Sequence, residues 1–405
     1  MSQLKDKAEA AKGKPAAIGD DIDLDRYTVT SDNIPYQEDL TKVPAKAKKQ
    51  MLNAGVMLDD LSQRSGTFIQ MDNTPIHNSV KQDGIEVMST SQALEKYNWL
   101  NDYLWKAVPV DADKYTAHVE LNNGDGYFIR ALPGSKSVYP VQACLYLAKK
   151  RLIQDVHNII IAEEGSELHI ITGCTTAHQS ETGLHLGISE FYIKKGAKVT
   201  FTMIHSWAPD TGVRPRTSAI IEEDGLFLSN YVIMKPVSTI QAYPIARCIG
   251  ANATVRFNSV MVAPPGSNMD IGSKVFLDAK GARTEIISRA ITTGGNITAR
   301  GFIAGNAPEV KGHLECRGLI MKGSGTIHAI PELVGTMAGV DLFHEAAVGK
   351  IAEEEVEYLM ARGLTRDQAT AAIIRGFLKV DIEGLPPLLN AEMQKAIEAS
   401  EKDMM

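Results

Sequence analysis

The chain has 405 residues, 44% of them hydrophobic and 22% charged, with a formal net charge of −7 and a pI near 5.9. That is long and apolar enough for a large buried core with helical additions, and too acidic for the clustered Lys and Arg that bind nucleic acid. The opening Met1-Ser-Gln-Leu-Lys-Asp-Lys carries no apolar signal core, and no later apolar run nears the ~20 residues that span a bilayer, so a cytoplasmic protein without a membrane partner is expected.

Residues 1–25, rich in Lys, Ala, Gly and Asp, are expected to form a mobile tail because they bury too little apolar surface to offset ordering. A helical or mixed N-terminal region follows over 26–125. One helix fits within 38–65, interrupted near Gly55. A second fits 92–107, N-capped by Ser91, with Leu94, Tyr97, Leu100 and Leu104 on one face. Trp99 and Trp105 read as packing residues.

From about Gly126 the texture changes to short β-branched runs broken by charged, glycine-containing turns. Asn158-Ile-Ile-Ile-Ala-Glu-Glu-Gly165 is echoed by phrases ending at Gly196, Gly225 and Gly281, and the first three of these glycines are 31 and 29 residues apart. Such self-similarity marks a solenoid, and a parallel β-helix is its natural form over 126–340. A β-sandwich would want two-residue hairpin turns, for which Asp83-Gly84 and Asp224-Gly225 are the few candidates. The region 341–405 then turns helical. Glu353, Glu354 and Glu355 suit a first turn, Val356, Leu359 and Met360 supply an apolar face, and Arg362-Gly363 closes the helix. Thr365-Arg-Asp-Gln368 is a capping box opening the next, with Ala369, Ala372, Ile373 and Phe377 at helical spacing. Leu385-Pro386-Pro387 breaks it, and Asn390 suits the cap of a last short helix.

The four cysteines, at 144, 174, 248 and 316, form neither a disulfide framework nor a Cys-x-x-Cys zinc pattern and read as free thiols in a reducing compartment. Cys144 and Cys248 are assigned to packing. Cys316, His344 and Glu345 offer sulfur, nitrogen and oxygen donors, a set suited to iron. His313 and His328, on either side of Cys316, read as supporting or turn residues that could take a ligand position. The same three residues also permit a thiol enzyme, with Cys316 as nucleophile, His344 as base and Glu345 orienting it. A third reading is a plain β-helix assembly protein that tolerates loss of all its thiols. No Gly-x-x-x-x-Gly-Lys-Ser/Thr loop occurs, and Gly323-Ser324-Gly325 lacks the following Lys, so ATP hydrolysis by this chain is not expected.

Three stretches carry a family resemblance: Cys316-Arg-Gly-Leu-Ile-Met321, Pro331-Glu332-Leu333, and His344-Glu345-Ala-Ala-Val-Gly-Lys-Ile351. They resemble the C-terminal part of the SufB/SufD family, the scaffold subunits of SUF iron–sulfur cluster assembly. Cys316 and His344-Glu345 are similar to the SufB positions that bear the nascent cluster, 28 residues separating the cysteine from the histidine, while Pro-Glu-Leu and Ala-Val-Gly are more like SufD. Phe343 stands where the family carries its first carboxylate, so that ligand is lost.

The resemblance implies a mainly β protein, a right-handed parallel β-helix flanked by N-terminal and C-terminal helical regions. It also implies an ancestral-type scaffold rather than an enzyme, one that pairs with itself, accepts iron and sulfur, builds a cluster, expected to be 4Fe–4S, and passes it to client proteins. Flavin is left open as an electron source. ATP hydrolysis would fall to a SufC-like ABC ATPase docked on the helices from Ala352 to Leu378, where Tyr358-Leu-Met-Ala-Arg-Gly-Leu-Thr365 matches the family closely. Cys174, in Thr172-Gly-Cys-Thr-Thr-Ala177 ahead of Leu184-His185-Leu-Gly-Ile-Ser-Glu190, resembles the SufB cysteine that receives sulfur from a donor and is the expected sulfur entry point. His205-Ser206-Trp207 is similar to the family's Gln-Asn-Trp, with Trp207 retained. Leu145-Tyr-Leu-Ala148 lacks the family's Arg and Asn polarity, so an identical sulfur tunnel is not implied.

Overall fold

One left-handed turn residue recurs in every coil of the chain and sets its architecture. In the computed structural model, which describes residues 2–32, 34–60, 62–177, 183–321 and 325–378, Gly134, Gly165, Gly196, Asp224, Asn252, Gly281, Glu309 and Gly339 all have φ between 53° and 81°. Glycine adopts this region freely, and Asn and Asp tolerate it better than most residues. The N–H groups of Gly134, Gly165, Gly196, Asp224, Asn252 and Gly281 donate to the carbonyls of Glu164, Lys195, Glu223, Ala251, Lys280 and Pro308, each in the next coil, at 2.8–3.1 Å. The turns therefore stack on one another as a ladder.

Between turns the chain alternates between two sheets of ten and eleven strands. The ten-stranded sheet starts with the antiparallel pair Thr74–Val80 and Gly66–Met71. It continues in parallel through Val141–Leu147, Glu167–Thr176, Lys198–Ser206, Leu226–Ile233, Thr254–Ala263, Arg283–Thr292 and Lys311–Ile320 to the edge strand Asp341–Gly349. The protein is mostly β, a solenoid of about seven turns with helices at its termini, as the repeats suggested. It runs past the expected limit of residue 340 to Gly349. The coil interior is apolar, with Phe201, Phe191, Phe227 and Phe257 in contact at ring-centroid distances of 4.9–5.9 Å. Each such ring is worth about 1.5–3 kcal/mol of burial.

Helices cover the flanks. α1 (Ser2–Ala11) contradicts the expected mobile tail. Ala8 and Ala11 are buried in a cluster with Trp105, Val108 and Tyr115, so small side chains that cannot form a core themselves close onto one built by later residues. α2 (Ala45–Asn53) falls within the expected helix, which stops before Gly55 at φ 79°.

α3 (Thr90–Lys96) is shorter than the helix expected over 92–107 and starts earlier. Its cap is Ser89 rather than Ser91: Gln92 N–H donates to Ser89 Oγ, and Ser89 N–H to Gln92 Oε1. Helix cannot continue through Trp105, whose φ is 56°. Trp105 packs against His157 with ring centroids 4.2 Å apart, and Trp99 against Phe128, the packing roles expected of both. α4 (Lys114–Leu121) carries the other face of the α1 contact.

α5 (Glu353–Met360) and α6 (Arg366–Leu378) occur as the sequence indicates, and Thr365 and Gln368 form the expected reciprocal cap. The Leu385–Pro387 break and the Asn390 cap lie outside the described residues. α6 lies on the outer face of the ten-stranded sheet, burying Ile374 and Leu378 with Met57, Ile171, Ile204, Val232 and Ile291. α5 buries only Val356 and leaves Tyr358 and Met360 exposed. No helix among the described residues is long and apolar enough to cross a membrane.

Candidate functional site

Cys316 lies in the middle of the strand Lys311–Ile320, in register with Ser288 on one side and Ala346 of the edge strand on the other. Strand residues alternate between faces, so Leu314 and Cys316 point into the coil while His313, Glu315 and Arg317 point out. Cys316 is 2% exposed, and burial, with Glu315 nearby, pushes its thiol up to about 11. His344 is in register with Leu314 and so shares the face of Cys316, about 8 Å from it between Cα positions given ~4.8 Å between strands and ~3.3 Å per residue along them. It is exposed, and among the described residues no further strand pairs with the last one. Glu345 is in register with Glu315 and points to the opposite face. The chain thus brings Cys316 and His344 together and sends Glu345 away from them, to a group with His313 and Glu315 whose ligand atoms lie within 4.8 Å of one another. A Cys316–His344–Glu345 triad of the thiol-enzyme kind is not assembled.

Cys174 also points inward, from the strand Glu167–Thr176. It is fully buried, and burial with Cys144 nearby holds its thiol well above the ordinary range. The low pKa and access expected of a sulfur acceptor are absent here. Five strand steps separate it from Cys316 in one sheet, roughly 24 Å at ~4.8 Å per strand. Between them runs an inward column in strict register: Thr172, Met203, Tyr231, Ser259, Ser288, Cys316. Ser259 donates to Ser288 at 3.1 Å. Tyr231 has a buried hydroxyl with no partner among the described residues.

Beside Cys174, in register with it, stands His205. Trp207 Nε1–H donates to His205 Nδ1 at 2.5 Å. Burial, with His185 beside it, drives the His205 pKa well down, so the ring is neutral and its proton sits on Nε2, which has no acceptor among the described residues. His185, in turn bonded to Gln154 at 2.9 Å, is lowered to about 3 by burial. Cys144 and Cys248 are buried in packing clusters, in line with their assignment.

Tyr231, Ser259 and Ser288 were not visible as site residues in the sequence. Their signal is a polar residue recurring at an inward position once per coil, which requires the coil length to be known. His313 was a candidate in the sequence, but Glu315, and the grouping of both with Glu345, emerge only once the edge strand is placed in register.

Residues 146–377, more than half of the chain and including Cys174, the column and His344, match the family model described as SUF system FeS cluster assembly, SufBD core domain. The chain belongs to the SufBD family. It is 47% identical over 407 residues to an iron–sulfur cluster assembly SufBD family protein of Methanothermobacter thermautotrophicus (strain Winter), covering 98% of each chain. Against a SufBD family protein of Archaeoglobus fulgidus it is 52% identical over 358 residues, covering 88% of this chain and 96% of the relative. Against the iron–sulfur cluster assembly protein SufB of Bacillus subtilis it is 27% identical over 370 residues, covering 88% of this chain and 78% of that protein. A role for this SufBD chain in iron–sulfur cluster assembly follows, as the resemblance read from Cys316 onward implied.

Proposed function

We propose that this SufBD chain is a non-enzymatic scaffold on which sulfur taken up at Cys174 and iron meet at Cys316 and His344 to form a nascent cluster, which is then passed to client proteins. The observation that carries the reading is the inward column, which joins the coil of Cys174 to Cys316 without leaving one face of one sheet. Thiolate sulfur holds iron–sulfur clusters, and an exposed imidazole at an uncovered end is a ligand that can exchange, which a scaffold needs in order to release its product. At Cys174 the step is thiolate attack on the outer sulfur of a donor persulfide, with the donor cysteine leaving as thiolate. The His205 Nε2–H and Tyr231 O–H groups are buried donors suited to stabilising the anionic sulfur that results.

Cys174→Ser is expected to reduce cluster formation from an enzymatic persulfide source severalfold and to leave formation from free sulfide unchanged, read by visible absorption under anaerobic conditions. Equal yields with both sources, or equal loss, would remove Cys174 from the route.

Two partners belong to the same proposal. Val334, Met337, Phe343 and Val348 are exposed at the last coil, whose edge strands pair on one side only among the described residues, so a second copy fits that end. The other is a SufC-like ABC ATPase seated on α5, where Tyr358 and Met360 are uncovered. α6, whose Ile374 and Leu378 are committed to the sheet, packs beside α5. Light scattering of the chain mixed with the ATPase is expected to give two copies of each. The Tyr358→Ala/Met360→Glu variant should lose the ATPase mass and keep the pair, while retained ATPase or a monomeric scaffold would count against the corresponding partner.

A further inference from the structure

We infer that His313, Glu315 and Glu345 form a loading site for ferrous iron on the outer face of the last two strands of the ten-stranded sheet, back to back with Cys316 and His344. The inference rests on the scaffold reading for the identity of the metal, though not for the existence of a cation site. The three residues offer one imidazole nitrogen and two carboxylate oxygens, all within 4.8 Å of one another. One ion about 2.0–2.2 Å from each needs only small rotamer changes to collect them.

Two observations separate this group from an ordinary acidic surface. The Nε2 of His313 is shielded from solvent and has no hydrogen-bond partner among the described residues, a costly state unless something supplies the missing contact. Its ring is also held, stacked on Phe343 with centroids 4.6 Å apart and planes 22° off parallel. Glu315 is oriented by Arg317, whose Nε lies 2.6 Å from one carboxylate oxygen. Among the described residues, no other group of three His, Cys, Asp or Glu side chains is placed to hold an ion together.

The donor set favours a divalent first-row ion of borderline hardness and contains no thiolate that would retain it as a cluster. Three protein ligands on one side leave the remaining positions to water, so the ion can exchange. A solvent-open groove of about 490 Å³, lined by Arg283, Lys311, His313 and Phe343, reaches the site from outside. Glu315 precedes Cys316 and Glu345 follows His344. Two of the residues that hold the ion outside are therefore chain neighbours of the inward donors, about 3.8 Å away between Cα atoms, with the strand backbone between the ion and those donors. Alternation of the strands divides the labour: sulfur arrives along the inner face, iron waits on the outer one, and both reach the same edge.

The test uses the full chain under anaerobic conditions, with Mn²⁺ read by electron paramagnetic resonance and Fe²⁺ as competitor. One Mn²⁺ per chain is expected, displaced by Fe²⁺. Affinity should fall at least about tenfold in both His313→Ala and the shape-conserving Glu315→Gln, and stay unchanged in Cys316→Ala. Circular dichroism checks that each variant is folded. Wild-type affinity in the His313 and Glu315 variants, loss in Cys316→Ala, or only weak binding at many sites would overturn the inference while leaving the scaffold reading intact. His313-dependent Mn²⁺ binding by a chain that never forms a cluster would remove the scaffold reading alone.

Discussion

Cys316→Ala is expected to leave the chain folded and to bring its iron and sulfide content after anaerobic reconstitution close to zero. The substitution removes one buried sulfur from an interior lined by Leu314, Ala290 and Ile286, a change of about 1 kcal/mol, so loss of the chromophore would not reflect unfolding. Because burial holds the thiol up to about 11, binding a cluster at neutral pH must release the proton. Affinity should therefore rise about tenfold per pH unit for that single proton as pH increases toward the thiol's own pKa. Reconstitution at pH 7, 8 and 9 should show that rise in the wild type and no signal in the variant. His344→Ala should weaken retention without abolishing assembly, since an exposed imidazole can be replaced by water or a small thiol. A Cys316→Ala chain with wild-type iron and sulfide would refute the assignment.

The second large effect lies away from the thiols. Glu190 is fully buried, and its carboxylate accepts from the backbone N–H of Trp105, Ala107 and Val108 at 2.7, 2.6 and 3.0 Å. Tyr192 Oη donates to it at 3.1 Å, and His157 Nε2 lies 2.9 Å away. This one side chain clamps the segment that carries Trp105 in its left-handed conformation against the solenoid. Glu190→Ala would leave the buried N–H groups of Trp105 and Val108 without their acceptor, while Ala107 N–H keeps Tyr192 Oη at 3.1 Å, and should cost about 3–5 kcal/mol. Urea unfolding followed by tryptophan fluorescence should show a lower midpoint, and hydrogen exchange should rise first across 98–113. Glu190→Gln, which keeps one carbonyl acceptor, should lose less. An unshifted midpoint in the alanine variant would show that the segment is held by its apolar contacts alone.

The repeat was legible at three of the glycine turns, 165, 196 and 281, because glycine alone adopts that backbone without penalty, though not at Gly134 and Gly339. Coils turning on Asn252 and Glu309 carry no such mark, and at Asp224-Gly225 the positive φ falls on the aspartate, one residue before the glycine. The resemblance carried the family and the two cysteines. The face on which each ligand lies was another matter. A 28-residue spacing suggests Cys316 beside His344, yet the last coil advances the register by 30, so Cys316 meets Ala346. In a strand a one-residue difference in register exchanges the two faces, and neither composition nor motif specifies it. Glu345 therefore belonged with Cys316 in the sequence and with Glu315 in the fold. The ordering of Ser2–Ala11 was illegible for a different reason: its alanines pack on a surface assembled from residues a hundred positions later.

The stacked turns have a consequence for how the molecule opens. Each rung leans only on the rung before and the rung after, so the solenoid behaves as a one-dimensional chain of units with nearest-neighbour coupling. Among the described residues the rung bearing Phe343, His344 and Glu345 has a neighbour on one side alone, and it should fray at far lower free energy than the interior rungs that hold Cys174. Peeling it back would uncover Cys316 and disperse the outer carboxylates in a single movement, without melting the rest of the column. A partner seated on that end supplies the missing neighbour, so docking and undocking can act as a latch on the softest rung.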